Sequence, residues 1–181
     1  MAPLKRPAPA NLTCSVAYRD AASCEEALAL LEKAYGPRDA ESEPYDFSSI
    51  SSHYDNEMGG PVMKRIVSFD RLFPREGLAA VKLQATSIEQ RFAVEGNRRI
   101  NLDPGLLTME NFVLATAKNH SHRIYLGDGI FAEVTLLFTR HATIQGLPWT
   151  YRDYLRDPAA AFLLSLRDRY KRKLARDGET A

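Results

Sequence analysis

The sequence predicts an α+β fold, and three observations carry that prediction. Apolar and polar residues alternate in residues 11–19, and residues 64–72 read as a further strand with Ile66, Ser68 and Asp70 on one face and Val67, Phe69 and Arg71 on the other. Apolar residues recur at helical spacing in residues 23–35 and 78–92. Strand and helix signals then follow one another as β-α-β-β-α-β, the order of a ferredoxin-like split βαβ unit.

The elements follow in order. Leu12, Cys14, Val16 and Tyr18 occupy alternate positions of the first strand. Ser23 is the expected N-cap of a helix with Ala27, Leu28, Leu31, Ala34 and Tyr35 on one face, stopped by Gly36-Pro37. A second strand is expected over residues 41–47, and a polar surface loop with a short helical turn over 48–61. The third strand, residues 64–72, places Ile66, Ser68 and Asp70 on one face. After Pro74, Leu78, Val81, Ala85, Ile88 and Phe92 define the second helix, which Gly96 closes, and residues 98–102 form the fourth strand.

Beyond that unit the expected extension is a helix, a β-hairpin and a C-terminal helix. Asp103-Pro104-Gly105 reads as a turn, and Thr108 as the N-cap of a helix over residues 109–118 that buries Phe112, Val113 and Ala117. Residues 122–126 and 130–138 flank Gly127-Asp128-Gly129, a strong hairpin signal. Residues 158–176 form the last helix, with Phe162, Leu163, Leu166 and Tyr170 inward. The domain is expected to span 11–176 between a loose Pro-rich tail at 1–10 and a second tail at 177–181.

The chain of 181 residues is long enough to bury a substantial core. Lys and Arg number 24 against 23 Asp and Glu, so there is no global basic field and no DNA partner is expected. Cys14 and Cys24 fit neither a disulfide framework nor a zinc pattern and read as buried free thiols. The N-terminal residues lack the apolar stretch of a secretory signal, and no apolar run reaches the roughly 20 residues that span a bilayer. A cytoplasmic location without membrane contact is the resulting expectation.

Polar chemistry concentrates between Asn101 and Glu133. Lys118-Asn119-His120-Ser121-His122-Arg123 is dense in donors, and a phosphate or carboxylate site needs such an array, with Arg supplying the bidentate fork. Solvated charges at an element boundary account for the same residues. If 121–125 is extended, His120 and His122 share one face, with Ser121 and Arg123 opposite. A His120/His122 metal with Asp103, Asp128 or Glu133 is a weaker use of the segment, because the spacing is not diagnostic.

Asp103, Glu133 and Glu57 are the carboxylates available for proton transfer, with His122 beside them, although turn chemistry alone explains Asp103. Glu133, inside an apolar strand, either faces solvent or is held by a cation. Gly59-Gly60-Pro61-Val62-Met63-Lys64-Arg65 lacks the spacing of a phosphate loop, and the single His141-Ala142-Thr143 lacks the second element that two-histidine phosphodiesterases need. Trp149, Tyr151 and Tyr154 either stack a ring or pin a connection onto the core.

Several segments together resemble a known family: Asn101-Leu102-Asp103-Pro104-Gly105, Ser121-His122-Arg123-Ile124-Tyr125-Leu126-Gly127, residues 129–136 and Trp149-Thr150-Tyr151-x-Asp153-Tyr154, with Ser42-Glu43-Pro44-Tyr45-Asp46-Phe47 and Tyr54-x-x-Glu57-Met58-Gly59 upstream. The chain is similar over about residues 12–170 to the bacterial domain-of-unknown-function family numbered 4416. The resemblance implies a small intracellular protein with no established activity. Some members carry a GTP-binding label, for which this chain offers no phosphate loop. Matching positions include Tyr54, Glu57, Asn101, Asp103, Thr108, Lys118, Ser121, His122, Arg123, Tyr125, Glu133 and Trp149. The pattern's Tyr-Pro-Asp-Tyr is Tyr151-Arg152-Asp153-Tyr154 here, and its paired tyrosines are His53-Tyr54.

The leading expectation is therefore a small anionic ligand, a nucleotide among the options. Lys118, Ser121, His122, Arg123, Tyr54 and Asn101 would bind it, and Asp103, Glu133, Glu57 and His122 would do any chemistry. A protein- or RNA-interaction module using Arg167, Arg169, Lys171, Arg172, Lys173 and Arg176 is the alternative, and a metal-assisted hydrolase the second alternative. Cofactor and metal use are left open.

Overall fold

The computed structural model describes residues 3–52 and 54–179, so His53 lies outside the described residues. The elements are β1 (Ala10–Tyr18), α1 (Ala21–Tyr35), β2 (Arg38–Glu41), β3 (Tyr45–Asp46), α2 (Asp55–Met58), β4 (Met63–Phe73) and α3 (Leu78–Arg91). They continue with β5 (Ile100–Leu107), β6 (Asn111–Thr116), β7 (Ile124–Gly127), β8 (Ile130–Phe138), β9 (Ile144–Gly146) and α4 (Ala159–Glu179). The mixed α and β content agrees with the α+β expectation. Among the described residues the strands form one nine-stranded sheet in the order β2-β4-β1-β5-β6-β8-β7, with β3 beside β4 and β9 beside β8. Every pairing is antiparallel.

Helices cover both faces of this sheet. β1 is buried along its whole length, so its alternation sorts residues between two cores rather than between core and solvent. Leu12, Cys14, Val16 and Tyr18 pack against α1 and α3, with Leu28, Leu31, Val81 and Ala85. On the opposite face Ile66, Phe112 and Leu136 pack against Tyr154 and the α4 residues Phe162, Leu163, Leu166 and Tyr170. Ser15, on that second face of β1, accepts a 2.7 Å hydrogen bond from the Tyr154 hydroxyl. Cys14 and Cys24 are buried free thiols.

Several boundaries differ from the sequence reading for identifiable reasons. Asp20, not Ser23, caps α1, its carboxylate accepting from the backbone N–H groups of Ala22 and Ser23. The second strand is split into β2 and β3 around Pro44, which offers no ladder donor. Residues 75–77 form a 3-10 turn before α3 begins. Helix α4 runs on to Glu179, past the expected end at Arg176, and residues 180–181 lie outside the described residues.

Two corrections matter for the site. Asp103-Pro104-Gly105 is not a turn; it is the middle of β5, paired through Ser15, Cys14 and Thr13 of β1. Residues 109–118 are not a helix; strand β6 occupies Asn111–Thr116 between β5 and β8. Thr108 explains the second misreading. Its hydroxyl accepts from the N–H groups of Glu110 and Asn111, as an N-cap would, but here it closes the β5–β6 hairpin.

Candidate functional site

β5 and β6 pair only from Gly105 to Leu107 against Phe112 to Leu114, and then part. At Gly105 the strands are pressed together: a Cβ there would lie 2.8 Å from the Val113 carbonyl oxygen and 2.9 Å from the Leu114 and Phe112 side chains. Beyond that point the backbone of β5 needs other partners. Two side chains of α3 supply them. The Leu102 N–H donates to Glu89 at 2.6 Å, and the Leu102 carbonyl accepts from the Lys82 ammonium at 2.6 Å. Pro104 fits the same logic, because it lies two residues from Leu102 and its missing N–H would have pointed to the side where β6 is absent.

The divergence opens a cavity of about 470 Å³. Lys82, Thr86, Glu89 and Gln90 line it from α3, Asn101 and Asp103 from β5, and residues 114–118 from β6 and its continuation. Lys64, Phe47, Tyr54, Tyr151 and Tyr154 wall one side, with Arg98, Arg123 and Glu133 completing the polar rim.

A continuous polar chain runs along one side of the cavity. Arg98 makes a bidentate ion pair with Glu57, at 2.6 and 2.8 Å, and donates to the Asn101 amide oxygen at 2.6 Å. The Asn101 amide donates to Asp103 Oδ2 at 2.7 Å, and Lys82 reaches Asp103 Oδ1 at 3.3 Å and Glu89 at 3.6 Å. Burial alone would raise the Asp103 carboxyl, but Lys82, Lys64 and the Asn101 amide outweigh it and hold it below its ordinary range. Glu89 goes the other way: burial pushes it up, further than Lys82 and the Leu102 N–H offset. Lys82 itself stays firmly protonated: burial works against its charge, and Asp103 and Glu89 more than restore it. Deeper in, buried Lys64 pairs with Asp153 at 2.6 Å and lies over the Phe47 and Tyr154 rings. Desolvation drives the Tyr54 phenol well above its ordinary value, so it stays protonated.

The opposite side is built around Glu133, 2% exposed. Arg123 donates through Nε to Glu133 Oε2 at 2.8 Å, with Nη2 in ion-pair contact with the same oxygen at 2.8 Å, and through Nη1 to the Lys118 carbonyl at 2.8 Å. His122 Nε2 lies 3.0 Å from the same carboxylate oxygen, and its ring stacks on Trp149 at 4.7 Å. His122 and Arg123 thus meet on one oxygen instead of facing opposite ways. The alternation argument does not apply to them, because β7 starts only at Ile124 and a turn closed by Arg123 N–H to His120 oxygen precedes it.

Of the residues singled out from sequence, Tyr54, Asn101, Asp103, Lys118, Arg123 and Glu133 line the cavity. Glu57 stands behind Arg98 and His122 behind Glu133. Ser121 is exposed and does not line it, and Asp128 is exposed in the β7–β8 turn. Among the described residues no group of three or more His, Cys, Asp or Glu side chains is arranged to hold a metal, and the His120 and His122 rings stack 5.9 Å apart. Lys64, Lys82, Glu89 and Arg98 were missed. Lys82 and Glu89, seven residues apart beside the apolar stripe of α3, were the legible signal: two charged residues on the buried face of a helix.

The basic residues of α4 are largely engaged within the fold. Arg167 donates to the Met109 carbonyl, Arg169 to Asp39, and Lys173 to Asn11, Phe69 and Asp39. Lys171 and Arg172 are exposed.

A family model described as "Domain of unknown function (DUF4416)" matches residues 8–170. No curated protein and no solved structure gives a match. Among the described residues no helix is long and apolar enough to cross a membrane.

Proposed function

The chain belongs to the DUF4416 family, and because that membership carries no activity we propose its function from the cleft itself: a small ligand bearing a phosphate or carboxylate group binds where β5 and β6 part. One observation carries this reading. Segments far apart in sequence converge on a single cavity whose lining holds five cationic side chains (Lys64, Lys82, Arg98, Lys118 and Arg123) against three carboxylates (Glu89, Asp103 and Glu133). The carboxylates paired with Lys64 and Arg98, Asp153 and Glu57, stand outside the lining, so the side chains that face a ligand include more cations than carboxylates although the ion-paired cluster as a whole is balanced. Lys118, exposed at the rim, is the anion contact, whereas the Arg123 fork is committed to Glu133 and acts by shaping the wall.

The same reading takes β1-α1-β2-β4-α3-β5 as a ferredoxin-like split βαβ unit, supported by the order β2-β4-β1-β5 with all neighbours antiparallel. It also takes the protein to work in the cytoplasm. Calorimetric titration with inorganic phosphate, nucleoside monophosphates, sugar phosphates and dicarboxylates tests it. At least one should bind, and Lys118→Ala should weaken it about tenfold with the fold intact. Absence of binding across the panel, or affinity indifferent to Lys118→Ala, contradicts the reading.

A further inference from the structure

Exposure separates the charged groups of the cavity. The side chain of Asp103 is 28% exposed, against 7% for Lys82, 6% for Glu89, 6% for Lys64, 5% for Arg123 and 2% for Glu133. Arg98 is also accessible, but its Nε and Nη2 are held by Glu57 and its Nη1 by Asn101. The charged group the cavity floor presents is therefore an acceptor.

An ionised carboxylate has about four lone-pair sites and no proton to donate. Asn101 takes one on Oδ2 and Lys82 one on Oδ1, which leaves a site on each oxygen. A ligand must meet both with donors spaced to suit a carboxylate, and two adjacent hydroxyls do so. An ammonium group is the other donor class, but Lys82 lies 3.3 Å away and Lys64 acts on the same carboxylate, so a third cation would be repelled. Along β6 and its continuation the lining turns apolar through Leu114, Ala115 and Ala117, and Tyr151, 47% exposed, also lines the cavity. That surface suits the C–H face of a ring whose hydroxyls point the other way.

We infer that the ligand is a polyhydroxylated anion, a sugar phosphate or sugar acid, with a vicinal diol donating to Asp103, its C–H face against the β6 wall and Tyr151, and its anionic group at Lys118. The inference rests on the anion reading above and adds the class of the ligand. The cavity volume, about 470 Å³, accommodates a monosaccharide with such a group.

Calorimetric titration of the full chain with ribose 5-phosphate, glucuronate, 2-deoxyribose 5-phosphate, inorganic phosphate and free ribose separates the claims. Ribose 5-phosphate or glucuronate should bind. Ribose 5-phosphate should exceed inorganic phosphate, and its 2-deoxy analogue, by about ten- to hundredfold, the worth of hydrogen bonds to a charged acceptor. Asp103→Asn should collapse that preference, and Tyr151→Ala, at an exposed position, should weaken the sugar ligand severalfold while circular dichroism stays native. Equal binding of hydroxylated and hydroxyl-free anions overturns the diol assignment and leaves the anion reading standing. Free sugar binding as tightly as its phosphate overturns the anion reading and leaves the diol assignment. Failure of every probe to bind overturns both.

Discussion

The two polar sides of the cleft use the same residue types differently. Around Glu133, Arg123 and His122 converge on one carboxylate oxygen, and the Arg123 and Glu133 side chains are almost fully removed from solvent. Around Asp103, Asn101 and Lys82 hold one oxygen each, and the carboxylate stays open to the cavity. Paired and buried, Glu133 is a clamp on the β8 side of the cleft. Asp103, half-satisfied and partly exposed, is the group proposed above for recognition. Access of the carboxylate to the cavity, rather than charge, distinguishes them: the Asp103 side chain is 28% exposed and that of Glu133 2%.

The largest expected effect breaks the clamp. Arg123→Ala leaves Glu133 buried with the His122 ring as its remaining close partner on Oε2, and should cost about 3–5 kcal/mol of unfolding free energy in urea titration. A loss below about 1 kcal/mol would mean that this pair is as solvated as a surface salt bridge and that the contrast does not hold. Gly105→Ala tests the junction from which the two sides diverge. The added methyl group meets backbone and side-chain atoms of β6 below 3.0 Å, and about 1–3 kcal/mol of destabilisation is expected. A neutral substitution would show that β5 and β6 separate without difficulty at this point.

The smallest effect sharpens the contrast by pH. Asp103→Asn should cost only about 1 kcal/mol at neutral pH. The folded-state pKa of Asp103 is lowered from an ordinary value of 3.8, so its contribution is full above that value and is lost as pH falls through the folded pKa. The stability gap between wild type and Asp103→Asn should therefore close below about pH 4. Glu89, raised above 4.5, has the opposite sign: its ionisation penalises the folded state, and acid relieves that penalty. A gap that widens on acidification would assign the shift to Glu89 instead.

The strands and helices up to α3 were legible because alternation and helical spacing report burial directly, as Leu12 to Tyr18 and Leu78 to Ile88 illustrate. β6 was not, for two reasons. Phe112, Val113 and Ala117 satisfy a helical face as readily as a strand, and the Thr108 hydroxyl bonds the next turn of backbone alike in a helix cap and a tight hairpin. A polar cluster between Asn101 and Glu133 was legible, and five of its residues, Asn101, Asp103, Lys118, Arg123 and Glu133, line the cavity of the candidate site. Its construction was not. That depends on β5 losing β6 as a partner and on Lys82 and Glu89 replacing it, a tertiary event with no local signature beyond two charges on a buried helix face.

Backbone amide chemical-shift mapping tests the central claim most directly. On titration with the tightest-binding anion of the panel, the largest perturbations should fall on Leu102, Asp103, Thr116, Ala117 and Lys118, the two edges of the parted strands. Perturbations confined to the exposed Lys171 and Arg172 of α4, with the β5 and β6 amides unmoved, would contradict it.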